Sequence, residues 1–197
     1  FDTKSKRVPK QVAWCGTDSV LMAWDELLLM VGPQGDWIKY AYDEPAYLAP
    51  ESDGVRVFSN SLCEFIERVP DATEQIFKIG STSPAAMLFD AADHFQRTSP
   101  KADELIRAVG ADLADAVDAC IEAAGHEWSH GAQRALLRAA AFGKAFLDLY
   151  DSDKFVRMCK ELRVLNAMRH FEVGMPMTHA QLQIVTARGA LSRLSQH

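Results

Sequence analysis

One short stretch of the sequence has the residue types and spacing of a zinc site. His126, Glu127 and His130 stand in the order HExxH, which in zinc metalloproteases supplies two metal-binding histidines and a water-activating glutamate. This chemistry needs one continuous helix, because only then do residues i and i+4 lie on the same face. Here Gly125 is a predicted helix C-cap, and residues 129–131 have the composition of a helix start. We therefore predict that the pentapeptide lies in a loop between two helices and binds no metal.

No other pattern in the sequence indicates catalysis or cofactor binding. The nucleophile elbow G-x-S-x-G and the phosphate-binding loops GxGxxG and GxxxxGK[ST] do not occur. His170 and His179 are distant in sequence from the HExxH segment, so neither is indicated as a third zinc ligand. We expect a protein with no enzymatic activity and no cofactor. The alternative is a zinc-dependent hydrolase that uses His126, Glu127 and His130.

A helical pattern, Gly131–Tyr150, follows directly after this segment. At the 3.6-residue period its apolar residues fall on one side of the helix. The residues expected to form a helix-packing seam on that side are Leu136, Ala139, Ala140, Gly143, Phe146 and Leu147. A glycine costs a helix about 1 kcal/mol relative to alanine, so Gly143 indicates the close approach of a neighbouring helix. We predict that this helix is the central element of a helical stack.

Residues 1–70 and 71–197 differ in pattern and form the two predicted domains. In the first, short apolar runs between turn residues predict strands at 11–15, 19–24, 27–31, 36–42, 55–58 and 62–69, with a loop at 43–50. In the second, helices are predicted at roughly 71–80, 84–97, 100–108, 111–124, 131–150, 152–171 and 178–195. The predicted class is mixed but mainly α. It consists of the last blade or blades of a β-propeller, followed by the start of an α-solenoid of helix pairs.

The charge distribution bears on the choice of partner. The formal net charge of -6 argues against nucleic acid as the main partner, because binding to phosphates needs a basic surface. The charge is uneven: residues 71–127 carry 4 basic and 11 acidic groups, whereas residues 128–197 carry 10 basic and 5 acidic groups. Two explanations remain open. Either the faces differ by chance, or one of them is a charge-guided docking surface.

The spacing of the cysteines and the lack of a long apolar run in the sequence indicate a cytoplasmic segment. Cys15, Cys63, Cys120 and Cys159 are far apart and form no CxxC pair, so reduced cysteines are expected. No run of eighteen apolar residues and no signal peptide occurs. Because the first residue is Phe rather than Met, we expect a segment of a longer protein.

Several long stretches resemble the vacuolar protein sorting-associated protein 16 family. They are LAPESDGVRVFS (48–59), EFIERVP (64–70), EQIFKIGS (74–81), KADELIR (101–107), CIEAAGHE (120–127), LLRAAAFGKAFLD (136–148) and FVRMCKELRVLNAMRHFEVGMPMT (155–178). The resemblance covers nearly the whole chain from about Val12. The second half of the HExxH match is not part of the family pattern, which argues further against a zinc site.

The resemblance implies a non-enzymatic scaffold with an N-terminal β-propeller and a C-terminal α-solenoid, of which this chain is the junction. Such proteins are core subunits of the HOPS and CORVET complexes, which tether endosomal, lysosomal or vacuolar membranes before SNARE-driven fusion. The implied partners are the other subunits, and the Sec1/Munc-like subunit is expected to bind outside this segment. Membrane association is then indirect, on the cytoplasmic side of late endosomes, lysosomes or vacuoles. The rival interpretation is another coat or adaptor subunit with the same plan.

Overall fold

The chain forms two compact units in a computed structural model, which describes residues 2–170 and 176–194. The first unit is Phe1–Arg68 and the second is Val69–His197. Antiparallel strands build the first unit and α-helices build the second. The mixed class predicted from the sequence is therefore confirmed.

Seven strands form two antiparallel sheets in the described part of the first unit. They are β1 (Gln11–Cys15), β2 (Ser19–Ala23), β3 (Leu27–Val31), β4 (Trp37–Ala41), β5 (Tyr47–Pro50), β6 (Val55–Phe58) and β7 (Cys63–Ile66). Strands β1–β4 pair in sequence order in one sheet, and β5–β7 pair in sequence order in the other. The predicted hairpin across residues 59–61 is confirmed, since Phe58 lies opposite Cys63.

The segment 43–50 contains a strand, so its prediction as a loop was wrong. Strand β5 pairs with β6 and ends with Pro50 opposite Val55. Proline is compatible with this position because β5 is an edge strand of its sheet. The backbone N–H of Leu48 donates a hydrogen bond of 2.8 Å to Oε1 of Gln11. The prolines of this segment favour a loop, which is why the local pattern missed the strand.

Alternation along β1–β4 gives this sheet two different apolar faces. The inner face packs with the second sheet in a cluster of buried residues: Ala13, Cys15, Leu21, Ala23, Leu28, Met30, Val55, Val57 and Ile66. The register aligns a row of side chains across the opposite, outer face: Trp14, Val20, Val31 and Trp37. A sheet that is apolar on both faces is typical of a middle layer rather than of a surface layer.

Seven α-helices follow in the described part of the second unit. They are α1 (Asp71–Phe77), α2 (Pro84–Gln96), α3 (Lys101–Val109), α4 (Leu113–His126), α5 (His130–Lys144), α6 (Asp153–Met168) and α7 (His179–Leu194). A 3-10 turn, Gly110–Asp112, joins α3 to α4. All seven predicted helices are present, although their ends differ by a few residues. Residues 171 and 195, which the predicted helices included, lie outside the described residues.

Helix α5 ends at Lys144 rather than at the predicted Tyr150. After Lys144 the chain changes to a tighter turn, in which the N–H of Phe146 donates to the carbonyl of Gly143 at 3.1 Å. Tyr150 lies beyond this turn, and its hydroxyl donates to the Asp118 carboxylate on α4. The apolar period continues through the turn, so periodicity alone placed the helix end too late.

The centre of the helical unit is the packing of α5 against α4 and α2. Gly143 lies at this contact: a Cβ atom there would be 2.7 Å from Cγ2 of Val117 and 2.9 Å from the methyl groups of Leu88. These distances are shorter than any normal carbon contact, so the helices approach too closely for a side chain at this position. Leu88 and Val117 are both fully buried. The glycine thus permits an interhelical contact that alanine would disturb.

Candidate functional site

The HExxH residues lie across a break between two helices. His126 is the last residue of α4, His130 is the first residue of α5, and Glu127 to Ser129 connect them. The prediction of an inter-helix connection is confirmed, but the connection is shorter than the whole pentapeptide. Within the described residues, no three His, Cys, Asp or Glu side chains lie together as a group that could hold a metal ion. The residues present do not fit the zinc site that the motif would require.

Gly125 is not a helix C-cap, which corrects the sequence prediction. It lies inside α4 and is buried. A Cβ atom at this position would be 3.0 Å from Nδ1 of His179 and 3.0 Å from Cε of Met158. His179 is also buried, and its Nε2 lies 2.6 Å from Oε2 of Glu161. The glycine therefore provides space for the buried His179, which pairs with the partly exposed Glu161 between α6 and α7.

The connection between α4 and α5 is held by the side chain of Arg169 at the end of α6. Its Nη1 donates to the carbonyl oxygen of Glu127 at 3.1 Å, and its Nε donates to the carbonyl oxygen of Met177 at 2.7 Å. The guanidinium also stacks on the Trp128 ring, 3.8 Å from its centroid. Burial raises the pKa of the Glu127 carboxyl. One side chain thus joins three segments, and the HExxH stretch has a structural role in this junction.

A reciprocal amide pair links α5 to α6 beside this junction. Nε2 of Gln133 donates to Oδ1 of Asn166 at 3.2 Å, and Nδ2 of Asn166 donates to Oε1 of Gln133 at 2.8 Å. Gln133 Nε2 also donates to the Glu127 carbonyl at 2.8 Å. Gln133 is 4% exposed, so these bonds satisfy a buried amide that would otherwise destabilise the fold.

Sequence reasoning did not single out Gln133, Asn166 or Arg169. One signal was available for the first of them. Gln133 precedes Leu136 and Ala140 at helical spacing, so it is a polar residue on the buried face of α5. A polar residue on such a face indicates a buried hydrogen-bond partner. The identity of that partner depends on the packing of α6 and could not be read from the sequence.

Only four of the six residues of the predicted packing seam lie on the buried face of α5. Leu136, Ala139 and Ala140 have no exposed surface, and they share the buried face with Gly143. Two further predicted residues, Phe146 and Leu147, lie after the end of the helix. Phe146 is 54% exposed and its ring contacts that of Phe142, whereas Leu147 is partly buried against the core. The helical seam therefore ends at Gly143, because the backbone turns away after Lys144.

The connection between α5 and α6 is fixed by an acidic group on α4. Lys154 and the hydroxyl of Tyr150 both donate to the Asp118 carboxylate. Burial acts to raise the pKa of Asp118, but these two hydrogen bonds outweigh burial and the pKa lies below its ordinary value. The paired carboxylate stabilises the turn that follows α5.

In the strand unit, Glu44 closes the turn between β6 and β7. Its Oε1 accepts hydrogen bonds from Oγ of Ser59 at 2.6 Å, from the N–H of Ser61 at 2.9 Å and from the Ser61 hydroxyl. These bonds favour the ionised carboxylate and lower its pKa from 4.5 to about 2. The hydroxyls and the backbone thus hold a charged acceptor at the hairpin.

The lowered pKa of Glu44 predicts a specific acid sensitivity. Its stabilisation is fully present above the ordinary pKa of 4.5 and is lost as the pH falls toward the folded pKa of about 2. In Glu44→Gln we expect a smaller drop in the urea midpoint between about pH 5 and pH 3 than in the wild type. Three of the four tryptophans, Trp14, Trp24 and Trp37, lie in this unit, so tryptophan fluorescence reports mainly on its unfolding. Glu26→Gln, an exposed substitution outside the turn, should keep the wild-type drop; equal drops in all three proteins would contradict the assignment.

The described residues define a protein of mixed class, with strands first and helices second. Antiparallel sheets form one unit, and serial helices joined by short connections form the next. Polar side chains between the helices bond to backbone carbonyls and to one another, as expected of packing contacts. No helix within the described residues is long and apolar enough to cross a bilayer.

The chain belongs to the Vps16 family. The family described as "Vps16, N-terminal region" matches residues 1–157, which is most of the chain. The resemblance noted in the sequence is thereby confirmed.

Curated relatives from distant organisms match nearly the whole chain. Protein VACUOLELESS1 of Arabidopsis thaliana is 53% identical over 194 residues, covering 98% of this chain and 23% of the relative. The vacuolar protein sorting-associated protein 16 homolog of Dictyostelium discoideum is 47% identical, with 98% and 24% covered. Vacuolar protein sorting-associated protein 16 of Saccharomyces cerevisiae is 33% identical, with 96% and 24% covered. The chain thus spans about a quarter of the length of these relatives.

Proposed function

We propose that this chain is part of a non-enzymatic scaffold subunit that acts in vacuolar protein sorting. In this proposal the subunit belongs to the HOPS and CORVET tethering complexes and acts before SNARE-mediated fusion at late endosomes, lysosomes or vacuoles. Support for the sorting role comes from family membership, since the relatives carry vacuolar protein sorting in their names. The strand unit is then the end of a β-propeller, and the helical unit is the start of an α-solenoid.

The observation that carries the scaffold assignment is the outer face of the β1–β4 sheet. Val12, Trp14 and Trp37 on this face are 61%, 64% and 59% exposed. Water contact with three large apolar side chains is unfavourable, at roughly 25 cal/mol for each Å² of apolar surface. A further sheet packed on this face would remove the cost, as happens between the sheets of larger β-structures. The face therefore supports a β-structure larger than two sheets, which a propeller provides.

The helical unit supports the same proposal through its connectivity. Helices α4 and α5 are joined by three residues and form a tight hairpin, with Val117 of α4 beside Gly143 of α5. Repeated hairpins of this kind make a stiff, extended support in which each repeat contacts its neighbours. Such a support holds binding modules at fixed distances and needs no catalytic group.

Co-purification from cells tests this proposal. Tagged full-length protein should retain the other subunits of the tethering complexes, including the Sec1/Munc-like subunit. Residues 1–197 expressed alone should lose the Sec1/Munc-like subunit, because we propose that its binding surface lies outside this segment. Circular dichroism of the isolated segment is the control that separates loss of a binding surface from loss of the fold.

Two outcomes would contradict the proposal. If the full-length protein retained none of these subunits, membership of the complexes would be wrong. If the folded segment alone retained the Sec1/Munc-like subunit, the binding surface would have to be placed within residues 1–197. Stoichiometric zinc in the purified segment would instead support the hydrolase alternative.

A further inference from the structure

A groove of about 600 Å³ runs between α5 and α6 on the surface of the helical unit. Four residues line each wall: His130, Gln133, Arg134 and Leu137 on α5, and Cys159, Leu162, Arg163 and Asn166 on α6. On each helix these residues extend over about two helical turns. Each wall therefore contains an amide, an arginine and a leucine.

The floor of the groove is closed and partly apolar. Leu162 is 4% exposed, and Leu137 packs partly against the helical core. The reciprocal amide pair of Gln133 and Asn166 crosses the floor at one end and connects the two walls. Because this pair is already satisfied internally, the floor offers an apolar contact rather than a free polar group. An occupant would place an apolar side chain there.

The rim of the groove carries positive charge without compensation. Arg134 and Arg163 are exposed, and neither makes a hydrogen bond or an ion pair with any described residue. None of the residues that line the groove is acidic. Four other arginines of the same unit are paired: Arg97 with Asp93, Arg107 with Asp103, Arg138 with Gln96 and Arg157 with Glu161. The two arginines that face one groove are thus available for an acidic ligand.

We propose that this groove binds an acidic amphipathic segment of a partner protein. One apolar side chain of the segment contacts Leu137 and Leu162, and carboxylates about one turn away pair with Arg134 and Arg163. The walls extend over about two helical turns, or roughly 10 Å, which suits a short helix lying in a groove. Nucleic acid and anionic membranes could use the arginines but would leave the apolar floor empty. The inference is independent of the propeller and tethering assignments, since it rests on the groove alone.

The test uses full-length protein and an array of designed peptides of about 12 residues, a length that gives about three helical turns. Each peptide carries one leucine and two glutamates, with the leucine moved through all positions. Matched peptides carry glutamine or lysine in place of glutamate. We expect at least one glutamate peptide to bind, and Arg134→Glu with Arg163→Glu to weaken it by at least about tenfold. The same peptide with lysine in place of glutamate should then bind Arg134→Glu with Arg163→Glu more tightly than it binds the wild-type protein.

Two controls keep the result interpretable. Arg97→Glu with Arg107→Glu makes the same change in charge on α2 and α3, away from the groove, and should leave peptide binding within about twofold of the wild type. Arg134→Gln with Arg163→Gln removes the two positive charges without introducing negative ones. This variant replaces Arg134→Glu with Arg163→Glu in the binding test if the glutamate variant fails to fold. Circular dichroism checks the fold of every variant.

Several results would overturn the proposal. Failure of every glutamate peptide to bind would do so, as would equal binding of the glutamine peptides. The same holds if Arg97→Glu with Arg107→Glu weakens binding as much as Arg134→Glu with Arg163→Glu. Vesicles of phosphatidylcholine and phosphatidylserine and a single-stranded RNA are tested in parallel. If either binds through Arg134 and Arg163 while the peptides do not, the groove serves that ligand and the peptide assignment is wrong.

Discussion

Gly143→Leu should destabilise the helical unit by about 2–3 kcal/mol, after allowing for the helix propensity that leucine gains over glycine. The first side-chain carbon alone would be 2.7 Å from Cγ2 of Val117 and 2.9 Å from the Leu88 methyl groups. Val117 is β-branched and cannot rotate out of the way within a helix. Either α5 moves away from α4 and α2, or the core rearranges around it. Urea denaturation followed by circular dichroism measures the loss.

A matched substitution on the same helix separates overpacking from any general effect of leucine. Ala141 is exposed on α5, so Ala141→Leu should change stability by no more than about 0.5 kcal/mol. Shortening the opposing side chain should recover part of the loss, because Leu88→Ala in the Gly143→Leu protein makes room for the new side chain. Equal stabilities of Gly143→Leu and Ala141→Leu would show that α5 does not pack as described.

The second large effect is expected for Arg169→Met, which should lower the free energy of unfolding by about 2–3 kcal/mol. Hydrogen bonds from charged groups contribute more to stability than hydrogen bonds between neutral groups. The variant removes the donors to the carbonyls of Glu127 and Met177 and the cation stacked on Trp128. Methionine keeps much of the apolar stem, so the loss reports on the guanidinium. Urea denaturation gives the free energy, and amide hydrogen exchange at the start of α7 should accelerate, because the segment before it is released.

Two further arginine variants make this prediction specific. Arg138→Met removes an exposed arginine with one hydrogen bond, 2.7 Å to Oε1 of Gln96, and should cost less than about 1 kcal/mol. Arg169→Lys should fall between the wild type and Arg169→Met, since an ammonium cannot reach two carbonyls and stack on a ring at the same time. If Arg169→Met were as stable as Arg138→Met, the contacts of Arg169 with the three segments would not stabilise the fold more than one exposed hydrogen bond does.

Local patterns predicted the secondary structure of this chain well where one face of an element is buried. All seven α-helices and six of the seven strands of the described residues lie where apolar spacing predicted them. The misses have different causes. Strand β5 was missed because the prolines of segment 43–50 favour a loop, although an edge strand accepts Pro50. The end of α5 was placed too late because the apolar period continues through the turn after Lys144, and the partner of Tyr150, Asp118, is distant in sequence.

The candidate sites were also predicted only in part from the sequence. The break between His126 and His130 followed from helix start and stop signals, and the role of the segment between them did not. Gly125 looked like a terminator because glycine commonly ends helices, whereas the structure uses it to make room for His179. The groove between α5 and α6 was indicated only as an excess of basic residues in the last third of the chain. Its arginines became a candidate site when packing placed them on facing walls.

The amino-acid sequence was enough to predict all seven α-helices, six of the seven strands, the change from strands to helices and the family. These follow from residue spacing and from long stretches that resemble the family. The packing of the helices decided which polar groups meet, because Gln133 lies on α5 whereas Asn166 and Arg169 lie on α6 and at its end. It also decided that the HExxH letters form a structural junction. Metal binding requires ligands on one face, and the break between α4 and α5 separates them.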